Sequence, residues 1–273
     1  MKTRESIRVW HQPDFGNTEV HRGTSVVRYC PPHWHEQYHL CAIEAGGGRL
    51  FYRGATHNTP AGSLFIVHPF EVHSNQAYDQ DGCSYRNLYI DPEWIRGAVL
   101  DILEKQTTPF FSKPVLFDPA LIKAYLQLVQ VLETTGSRLE RESLFLRLLA
   151  NLIRNHASER MPVAREGFER KAVGRVRDYL IAHYEQNVSL EHLAQVAQLS
   201  KFYLNRVFSA ELGLPPHAFQ TQVRVAKAKT LLREGLEISQ VALLTGFADQ
   251  SHLNRHFKRL VGVTPGEYSS HYR

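Results

Sequence analysis

The sequence predicts a multi-domain α+β protein, in which a β-barrel is followed by a helical hairpin and then by an all-α region. Three observations support this fold class. Short β-rich runs recur between about residues 20 and 90, apolar residues follow helical spacing over residues 118–157, and a helical motif is repeated within residues 171–268. The 273 residues are 43% hydrophobic and 22% charged, a globular composition that excludes disorder throughout the chain.

Residues 1–115 are expected to form the barrel together with an N-terminal arm. The predicted strands are residues 26–29, 38–43, 49–53, 64–67 and 84–90. They are separated by turns rich in glycine and proline, for example at residues 46–48 and 60–62. Turns spaced by roughly 8–12 residues are typical of a barrel or a sandwich.

Residues 116–157 predict two helices joined by a short loop. One apolar stripe runs from Leu121 to Leu132, residues 134–137 interrupt it, and a second runs from Phe145 to Ile153. This hairpin has more apolar surface than two helices alone can bury, so it packs against its own barrel or pairs two subunits. We favour the second interpretation, a homodimer. Residues 158–170 are predicted to be the interdomain linker.

Residues 171–273 contain two copies of one helical unit. Leu204-Asn205-Arg206-Val207-Phe208, followed by Gly213 and Pro216, recurs 49 residues later as Leu253-Asn254-Arg255-His256-Phe257, followed by Gly262 and Pro265. The first copy predicts helices at residues 190–197 and 201–211, with Ser189 and Ser200 as their N-caps. The second copy predicts helices at residues 239–244 and from Asp249 onward, with Asp249 as the N-cap of the latter. This is the helix-turn-helix arrangement, whose second helix enters a DNA major groove.

The second helix of each copy has a polar face opposite its apolar stripe. Arg, Asn and Gln side chains can bond bidentately to guanine or adenine edges. The candidate DNA-binding residues are Lys201, Phe202, Asn205, Arg206, Gln250, Ser251, Asn254, Arg255 and Lys258. Residues 1–164 carry 17 Lys+Arg and 17 Asp+Glu, whereas residues 165–273 carry 15 and 10, so the net charge of +5 lies entirely in the last part. This distribution favours a polyanionic partner.

The run from Gly246 to Lys258 (GFADQSHLNRHFK) and residues 262–268 (GVTPGEY) closely resemble the signature of the AraC/XylS transcriptional regulators. The resemblance implies two helix-turn-helix subdomains joined by a helix at about Pro216 to Arg233. It also implies that the residues facing bases are Phe202, Asn205, Arg206, Gln250, Ser251, Asn254 and Arg255. Independently of the resemblance, we expect Lys258 at a phosphate. Gln198 stands where many helix-turn-helix turns have glycine, which predicts a less tight first turn.

The histidines of the first region follow another pattern. His33-x-His35 and His39 precede Gly46, and Gly54, Pro60 and Gly62 precede His73. These residues resemble the two motifs of the cupin barrel, and cupin-like barrels are the usual sensor half of many AraC/XylS regulators. The resemblance implies an effector site at His33, His35, His39 and His73, although His39 stands where metal-binding cupins have Glu or Gln.

Three interpretations of these four histidines remain open. They line the barrel and hydrogen-bond to one another or to a small-molecule ligand, without metal, which we prefer because sensors of this family generally work without one. They hold a divalent transition metal, since imidazole suits Zn, Fe, Ni and Cu. Or they form the centre of a metal-dependent cupin enzyme, which requires an open coordination position. We therefore expect no cofactor and no enzymatic activity, with the metal as the alternative.

Other residues of the first region carry weaker signals. His68 is expected in a loop, and His57 and Asn58 in a turn. Trp10 and Phe15 belong either to an arm that folds over the barrel mouth or to packing at its rim.

The sequence thus predicts a ligand-responsive, DNA-binding transcription regulator, whose partners are an operator duplex, a small-molecule effector, a second copy of the chain and RNA polymerase. No apolar run approaches the roughly 18 residues of a membrane span. No apolar stretch follows the N-terminus, and Cys30, Cys41 and Cys83 lack paired spacing, so we expect a cytoplasmic protein without a membrane partner. Two alternatives are a cupin enzyme fused to a DNA-binding module and a constitutive regulator whose barrel only assembles the dimer.

Overall fold

The computed structural model describes residues 5–12, 15–16, 18–27, 29–103, 108–134, 137–158 and 168–270. The chain forms two compact units, the first comprising residues 1–30 and 34–163 and the second residues 164–273 together with 31–33. Residues 30–33 form a strand that is hydrogen-bonded into a sheet of the first unit, so they are described with that sheet. No helix within the described ranges is long and apolar enough to cross a membrane.

Two sheets build the first unit, as the β-rich runs predict. The described strands are β1 (Ser6–His11), β2 (Glu19–Val26), β3 (Cys30–His33), β4 (Tyr38–Ala45), β5 (Gly47–Tyr52), β6 (Ala55–Pro60), β7 (Leu64–Val67), β8 (His73–Ala77), β9 (Cys83–Ile90) and β10 (Val115–Leu116). The six-stranded sheet has the order β1-β2-β9-β4-β7-β10, and the four-stranded sheet has the order β3-β8-β5-β6.

Strand β4 of the six-stranded sheet is buried on both faces from Tyr38 to Ile43, which explains its continuous apolar run. Successive side chains point to opposite sides of a strand. Leu40 and Ala42 therefore pack into the core formed with the helices, whereas Cys41 and Ile43 pack against Leu50 of the four-stranded sheet. The space between the two sheets, lined by the side chains on the Cys41 side of β4 and those facing them, is named the lumen.

Three helices cover the outer face of the six-stranded sheet. They are α1 (Pro92–Leu103), α2 (Pro119–Leu132) and α3 (Arg138–His156). Asp118 and Ser137 cap α2 and α3, and Tyr125 of α2 donates its hydroxyl to the carbonyls of Leu40 at 3.1 Å and Arg86 at 2.8 Å. The apolar stripes of the hairpin are thus buried against its own barrel. The sequence predicted dimerisation because the hairpin has more apolar surface than two helices alone can bury. In the structure, the sheet of the same subunit buries this surface.

From residue 168 onward, the described residues of the second unit form helices joined by turns. Its helices are α4 (Phe168–Ala182), α5 (Leu190–Ala197), α6 (Lys201–Leu212), α7 (Pro216–Arg233), α8 (Ile238–Leu244), α9 (Gln250–Val261) and α10 (Pro265–Ser270). The side chains of Ser189, Ser200 and Asp249 accept the backbone N–H three residues ahead, as N-caps do. The predicted helix-turn-helix boundaries agree with the observed ones to within one residue.

Helix α7 holds the turn between α4 and α5 in place. Arg224 donates to the carbonyls of Tyr184 at 2.7 Å and Gln186 at 2.9 Å, and Gln220 donates to the Gln186 carbonyl at 2.8 Å. The carbonyl oxygen between them, that of Glu185, would lie 2.3 Å from a Cβ atom added at Gly246, the turn residue of the second copy. Gly246 has a φ of +75°, so both its backbone angle and its surroundings require glycine.

Several expectations are corrected by the structure. Gln198 adopts the left-handed conformation itself, with φ 58° and ψ 41°, so the first turn is tight without glycine. His57 and Asn58 lie in β6 rather than in a turn, and of the strand predicted at residues 26–29 only Val26 lies in a strand among the described residues, as the last residue of β2. Strand β1 and helix α1 were not predicted. Most of the predicted linker, residues 159–167, lies outside the described residues.

The two aromatic residues near the N-terminus pack as part of the core. Trp10 lies in β1 and contacts the core between sheet and helices. Phe15 is fully buried and stacks on Phe145 of α3, with ring centroids 4.5 Å apart. This agrees with the packing interpretation rather than with an arm over the barrel mouth.

The substitution Gly246→Ala is expected to destabilise the protein by about 1–3 kcal/mol, because the added methyl group meets the Glu185 carbonyl and the positive φ becomes strained. Gln198→Gly is the matched control, where relief of the left-handed strain offsets the entropy of glycine to within about 1 kcal/mol. Urea unfolding of the full chain, followed by circular dichroism, measures both. Equal midpoints for Gly246→Ala and the wild type would contradict the fixed position of the Glu185 carbonyl.

Candidate nucleic-acid interface and effector site

Helix α6 presents the polar face that the sequence predicts. Leu204 and Phe208 are buried and fix the orientation of the helix. The four candidate residues, Lys201, Phe202, Asn205 and Arg206, are exposed. The phenyl ring of Phe202 is 89% exposed, which is unusual for a large apolar side chain at the start of a helix.

Helix α9 is oriented in the same way by Leu253 and Phe257, which are buried. Its candidate residues Gln250, Ser251, Arg255 and Lys258 are exposed. Asn254 differs from its counterpart Asn205, because it is half-buried and its Oδ1 atom is buried without a hydrogen-bond partner. The two copies therefore share a sequence motif but expose its asparagine to different degrees.

Neighbouring side chains hold the basic residues of α6. Lys201 pairs with Glu191 of α5, with Nζ 2.6 Å from Oε2. The Arg206 guanidinium lies 4.9 Å from the centroid of the Tyr203 ring, and the Tyr203 hydroxyl donates to Glu169 of α4. These contacts order long side chains before a partner binds, which lowers the entropy cost of binding.

In the first unit, three of the four predicted histidines come together. His33, His35 and His73, named the histidine trio, each present a ring nitrogen within 4.8 Å of the other two. His39 lies beside them, with its ring centroid 5.3 Å from that of His35 and 5.5 Å from that of His73. His39 is not part of the group of converging nitrogens, because its ring stacks on Tyr89 at 4.6 Å.

Backbone carbonyls orient two rings of the trio. His33 Nδ1 lies 2.8 Å from the Pro31 carbonyl oxygen, and His73 Nδ1 lies 3.2 Å from that of Glu71. The Glu71 side chain is itself fixed, because Arg53 donates to both of its carboxylate oxygens and the Tyr52 hydroxyl donates to one of them. Burial raises the pKa of Glu71, but these hydrogen bonds outweigh burial and lower it.

The lumen contains further polar residues that the sequence did not single out. Glu19 is fully buried and pairs with His21, with Oε2 3.1 Å from Nε2. Asn75 and Asn87 face the lumen from opposite sheets, since they pair with Leu50 and Cys41, and each has a buried Oδ1 atom without a hydrogen-bond partner. The alternation of Tyr85, Asn87 and Tyr89 along β9 was the available signal.

His68 lies in a loop, as predicted, and it is buried. Its Nε2 accepts the backbone N–H of Phe111 at 3.0 Å, and its ring packs against Tyr38, Phe110 and Phe111. Burial, with the positive charge of Arg53 nearby, lowers the pKa of His68 to about 4. A neutral imidazole that accepts a backbone bond has a structural role here.

Comparison with known proteins assigns a class to each unit. Residues 15–149 match the AraC-like ligand binding domain, and residues 193–271 match a helix-turn-helix domain. The transcriptional regulator YbfI of Bacillus subtilis strain 168 is 32% identical over 235 residues, which cover 86% of this chain and 85% of YbfI. The transcriptional activator RhaS of Klebsiella pneumoniae strain 342 is 25% identical and covers 86% of each chain.

Solved structures share the fold at low sequence identity. An apo variant of ToxT from Vibrio cholerae has a TM-score of 0.58 at 14% identity, over 99% of this chain and 98% of ToxT. Another structure of ToxT, with a TM-score of 0.57, holds an unsaturated fatty acid. The likeness supports the mixed architecture of a β-sheet unit and a helical unit.

Acidification should destabilise the protein through His68. Because its folded pKa is lowered to about 4 from an ordinary 6.5, the stability it contributes is complete above pH 6.5 and is lost as pH falls toward 4. We expect His68→Asn to remove on the order of 2–3 kcal/mol of this pH dependence. Thermal melts of the wild type and the variant between these pH values measure the difference in slope.

The matched control is His217→Asn, which replaces an exposed histidine of α7. It should leave the wild-type pH dependence unchanged. Parallel curves for wild type and His68→Asn would show that His68 is not neutral in the folded protein.

Proposed function

Because the chain belongs to the AraC family of transcriptional regulators, we propose that its two recognition helices bind adjacent DNA sites under the control of a small molecule bound in the lumen. The chain is a regulator with a ligand-binding domain and a helix-turn-helix DNA-binding domain. The proposed domains are residues 1–115 for the barrel, 116–157 for the hairpin, 158–170 for the linker and 171–273 for the DNA-binding unit. The single observation that carries the proposal is the pair of exposed polar faces on α6 and α9, set on buried stripes of the same spacing.

The DNA contacts divide by chemistry. Arg206 and Arg255 are placed at matching positions of α6 and α9 and can each bond bidentately to a guanine edge. The exposed ring of Phe202 fits the apolar methyl group of thymine. Lys258, in the last turns of α9, suits a phosphate contact. If the helices enter successive major grooves, their sites lie about 34 Å apart along the duplex.

The effector we propose is a small polar molecule that donates hydrogen bonds. The unpartnered Oδ1 atoms of Asn75 and Asn87 are buried acceptors, and such atoms cost about 1–3 kcal/mol each unless a donor reaches them. Hydroxyl groups are suitable donors. The buried pair of Glu19 and His21 adds to the polarity of the lumen, so a purely apolar chain such as that of the fatty acid held by ToxT would be a poor fit here.

Dimerisation is proposed through the outer face of α3. Leu139 and Leu146 are 73% and 53% exposed, and with Ser143 they follow one another at helical spacing on an exposed side of the helix, next to the buried stripe. A second copy that covers these residues would pair two DNA-binding units, as a two-fold operator requires. RNA polymerase is the further partner that a regulator of this kind would contact, and the cytoplasm is the proposed location.

The alternative of a cupin enzyme is less well supported, because the relatives are regulators. Turnover of small substrates by the purified protein, lost on adding a chelator, would favour the enzyme. A constitutive regulator would instead bind DNA identically with and without any extract of small molecules.

We expect Arg206→Ala and Arg255→Ala each to weaken binding by about 1–3 kcal/mol and to relax base preference at positions about one helical turn apart. The target is a duplex selected by the wild-type protein from a random-sequence pool, and affinity is measured by fluorescence anisotropy at fixed salt. Lys258→Ala should weaken all sequences alike and reduce the salt slope.

The matched control is Arg96→Ala, which removes the same charge from an exposed position on α1 of the other unit. It should bind the selected duplex as the wild type does. Wild-type affinity for Arg255→Ala would contradict the assignment of α9 as a recognition helix.

The double substitution Leu139→Asp with Leu146→Asp should convert the dimer to a monomer, because it places two charges in an apolar interface. Sedimentation velocity measures the oligomeric state. Binding to the selected duplex should weaken, since the second DNA-binding unit is no longer tethered. Leu100→Asp, at an exposed apolar position of α1, is the control. A dimer that survives the double substitution would place the interface elsewhere.

A further inference from the structure

Three arginines form one row across three neighbouring strands of the six-stranded sheet. Arg8 of β1 lies directly opposite Arg22 of β2, and Arg22 lies opposite Arg86 of β9. Val20 and Leu88, two residues away on β2 and β9, belong to the core between the sheet and the helices. Because alternate residues of a strand share a face, the three arginines, named the arginine row, lie on that face, opposite to the lumen.

The arginine row places like charges on directly opposed residues. Such residues have Cβ atoms about 4.5–5.5 Å apart, and like charges there destabilise the pairing of the strands. Two carboxylates offset part of this repulsion, and both contact Arg86. Its Nε atom lies 3.1 Å from Glu44 Oε1 and 3.6 Å from Glu133 Oε1. The negative charge is therefore concentrated at one end of the row.

The positive charge at the other end of the row is not balanced. The contact from Arg22 to Glu133 is long, with Nη1 3.8 Å from Oε2, and the Arg22 side chain is 45% exposed. Arg8 is exposed, and within the described part of the chain it forms neither a hydrogen bond nor an ion pair. The three guanidinium groups thus meet only these two carboxylates among the described residues, and the excess positive charge lies at Arg8 and Arg22.

Two hydroxyl groups lie beside these arginines. Ser6 and Thr24 are opposite each other in the next row of the same strand pair. Together with Arg8 and Arg22 they line a pocket of about 210 Å³. A guanidinium has five N–H donors and no acceptor, and each hydroxyl adds an O–H donor. The described lining residues include no carboxylate, so the pocket is rich in donors and positively charged.

We propose that this pocket binds a phosphate group, carried by inorganic phosphate or by a small phosphate monoester. The site goes beyond the proposed function, because its residues belong to the first unit and lie on the face of the sheet opposite to the lumen. The planar fork of a guanidinium bonds bidentately to phosphate oxygens, and such charge-assisted hydrogen bonds are about twice as strong as neutral ones.

The arrangement of the donors favours phosphate over carboxylate. The terminal oxygens of a phosphate monoester are arranged tetrahedrally, so they can accept from two guanidinium forks and two hydroxyl groups at once. A carboxylate has two oxygens in one plane, which leaves donors of one strand without an acceptor. The pocket is large enough for a phosphate group and a few water molecules, so the rest of an ester would extend into solvent.

Bound phosphate should stabilise the pairing of β1 with β2. The anion supplies the negative charge that the arginine row lacks at Arg8 and Arg22, and both guanidinium groups are then attracted to one shared ion. A ligand that binds only the folded protein raises its stability by mass action. The unfolding temperature should therefore rise with phosphate concentration.

Titration calorimetry on the full-length protein measures the affinity. Sodium phosphate and glucose 6-phosphate are the two probes, each titrated at fixed ionic strength against a chloride blank. Arg8→Ala should weaken binding by about 10–100-fold, the loss expected when hydrogen bonds to a charged group are removed. Arg49→Ala, at an exposed arginine of β5 in the other sheet, is the matched control and should bind as the wild type does.

The two probes distinguish the sources of the phosphate group. Tighter binding of glucose 6-phosphate would identify a monoester as the form that the pocket selects. Tighter binding of sodium phosphate would identify the free ion. Both results support the site, because the shared phosphate group carries the interaction.

A reversed charge tests the repulsion independently. Arg8→Glu places a carboxylate opposite Arg22, so it should raise the unfolding temperature of the phosphate-free protein and remove the further rise that millimolar phosphate gives the wild type. Arg49→Glu makes the same change of charge opposite Asn58 and Gln76, where no repulsion between arginines is relieved. It should keep the phosphate-dependent rise. Matching circular dichroism spectra would show that each variant is folded.

Two results would overturn the site. The first is a wild-type protein that binds neither probe at millimolar concentration. The second is an Arg8→Ala variant that binds both probes as tightly as the wild type does. In that second case, loss of phosphate binding in Arg255→Ala would assign the phosphate to a recognition helix, and weaker binding of Arg8→Ala to the selected duplex would assign the pocket to the DNA backbone.

Discussion

The geometry of the DNA-binding unit depends on the hydrogen bonds between side chains of α7 and the backbone of the turn between α4 and α5. Arg224 and Gln220 bond to the carbonyls on both sides of Glu185, and the Glu185 carbonyl is pressed against Gly246 in the other helix-turn-helix. Two recognition helices can only read one duplex together if their separation is fixed. Here that separation is set by these backbone carbonyl contacts together with the apolar side chains that α7 buries, among them Phe219, Val223 and Leu232.

The first unit holds polar side chains in the lumen, between its two sheets. The outer face of β4 and β9 is apolar and packs on helices, so the alternate residues of the same strands are free to carry His39, Asn87 and Tyr89. The face that packs on the helices contributes to the apolar core, whereas the face toward the lumen carries the polar side chains. The polar residues of the lumen therefore take no positions away from the apolar core between the sheet and the helices.

The sequence predicted best the features that local chemistry determines. Ser189, Ser200 and Asp249 mark helix starts because an N-cap needs only its own next few residues. What covers an apolar stripe is not local, so the sequence could not show that the hairpin packs on its own sheet, and pairing of two subunits through the hairpin stays a prediction. Asn75 was missed for the same reason, since alternation shows a face but not which sheet closes over it. Gln198 shows that a tight turn can form without glycine.

The hydroxyl of Tyr125 joins the helical hairpin to two strands of the six-stranded sheet. It bonds to Leu40 and Arg86, which neighbour the lumen residues His39 and Asn87 on two paired strands. A ligand that draws these strands together or apart changes the distance between the two carbonyls that one oxygen atom must reach. The hairpin is thus bonded directly to two strands whose opposite face lines the lumen, and only the thickness of a single sheet lies between them.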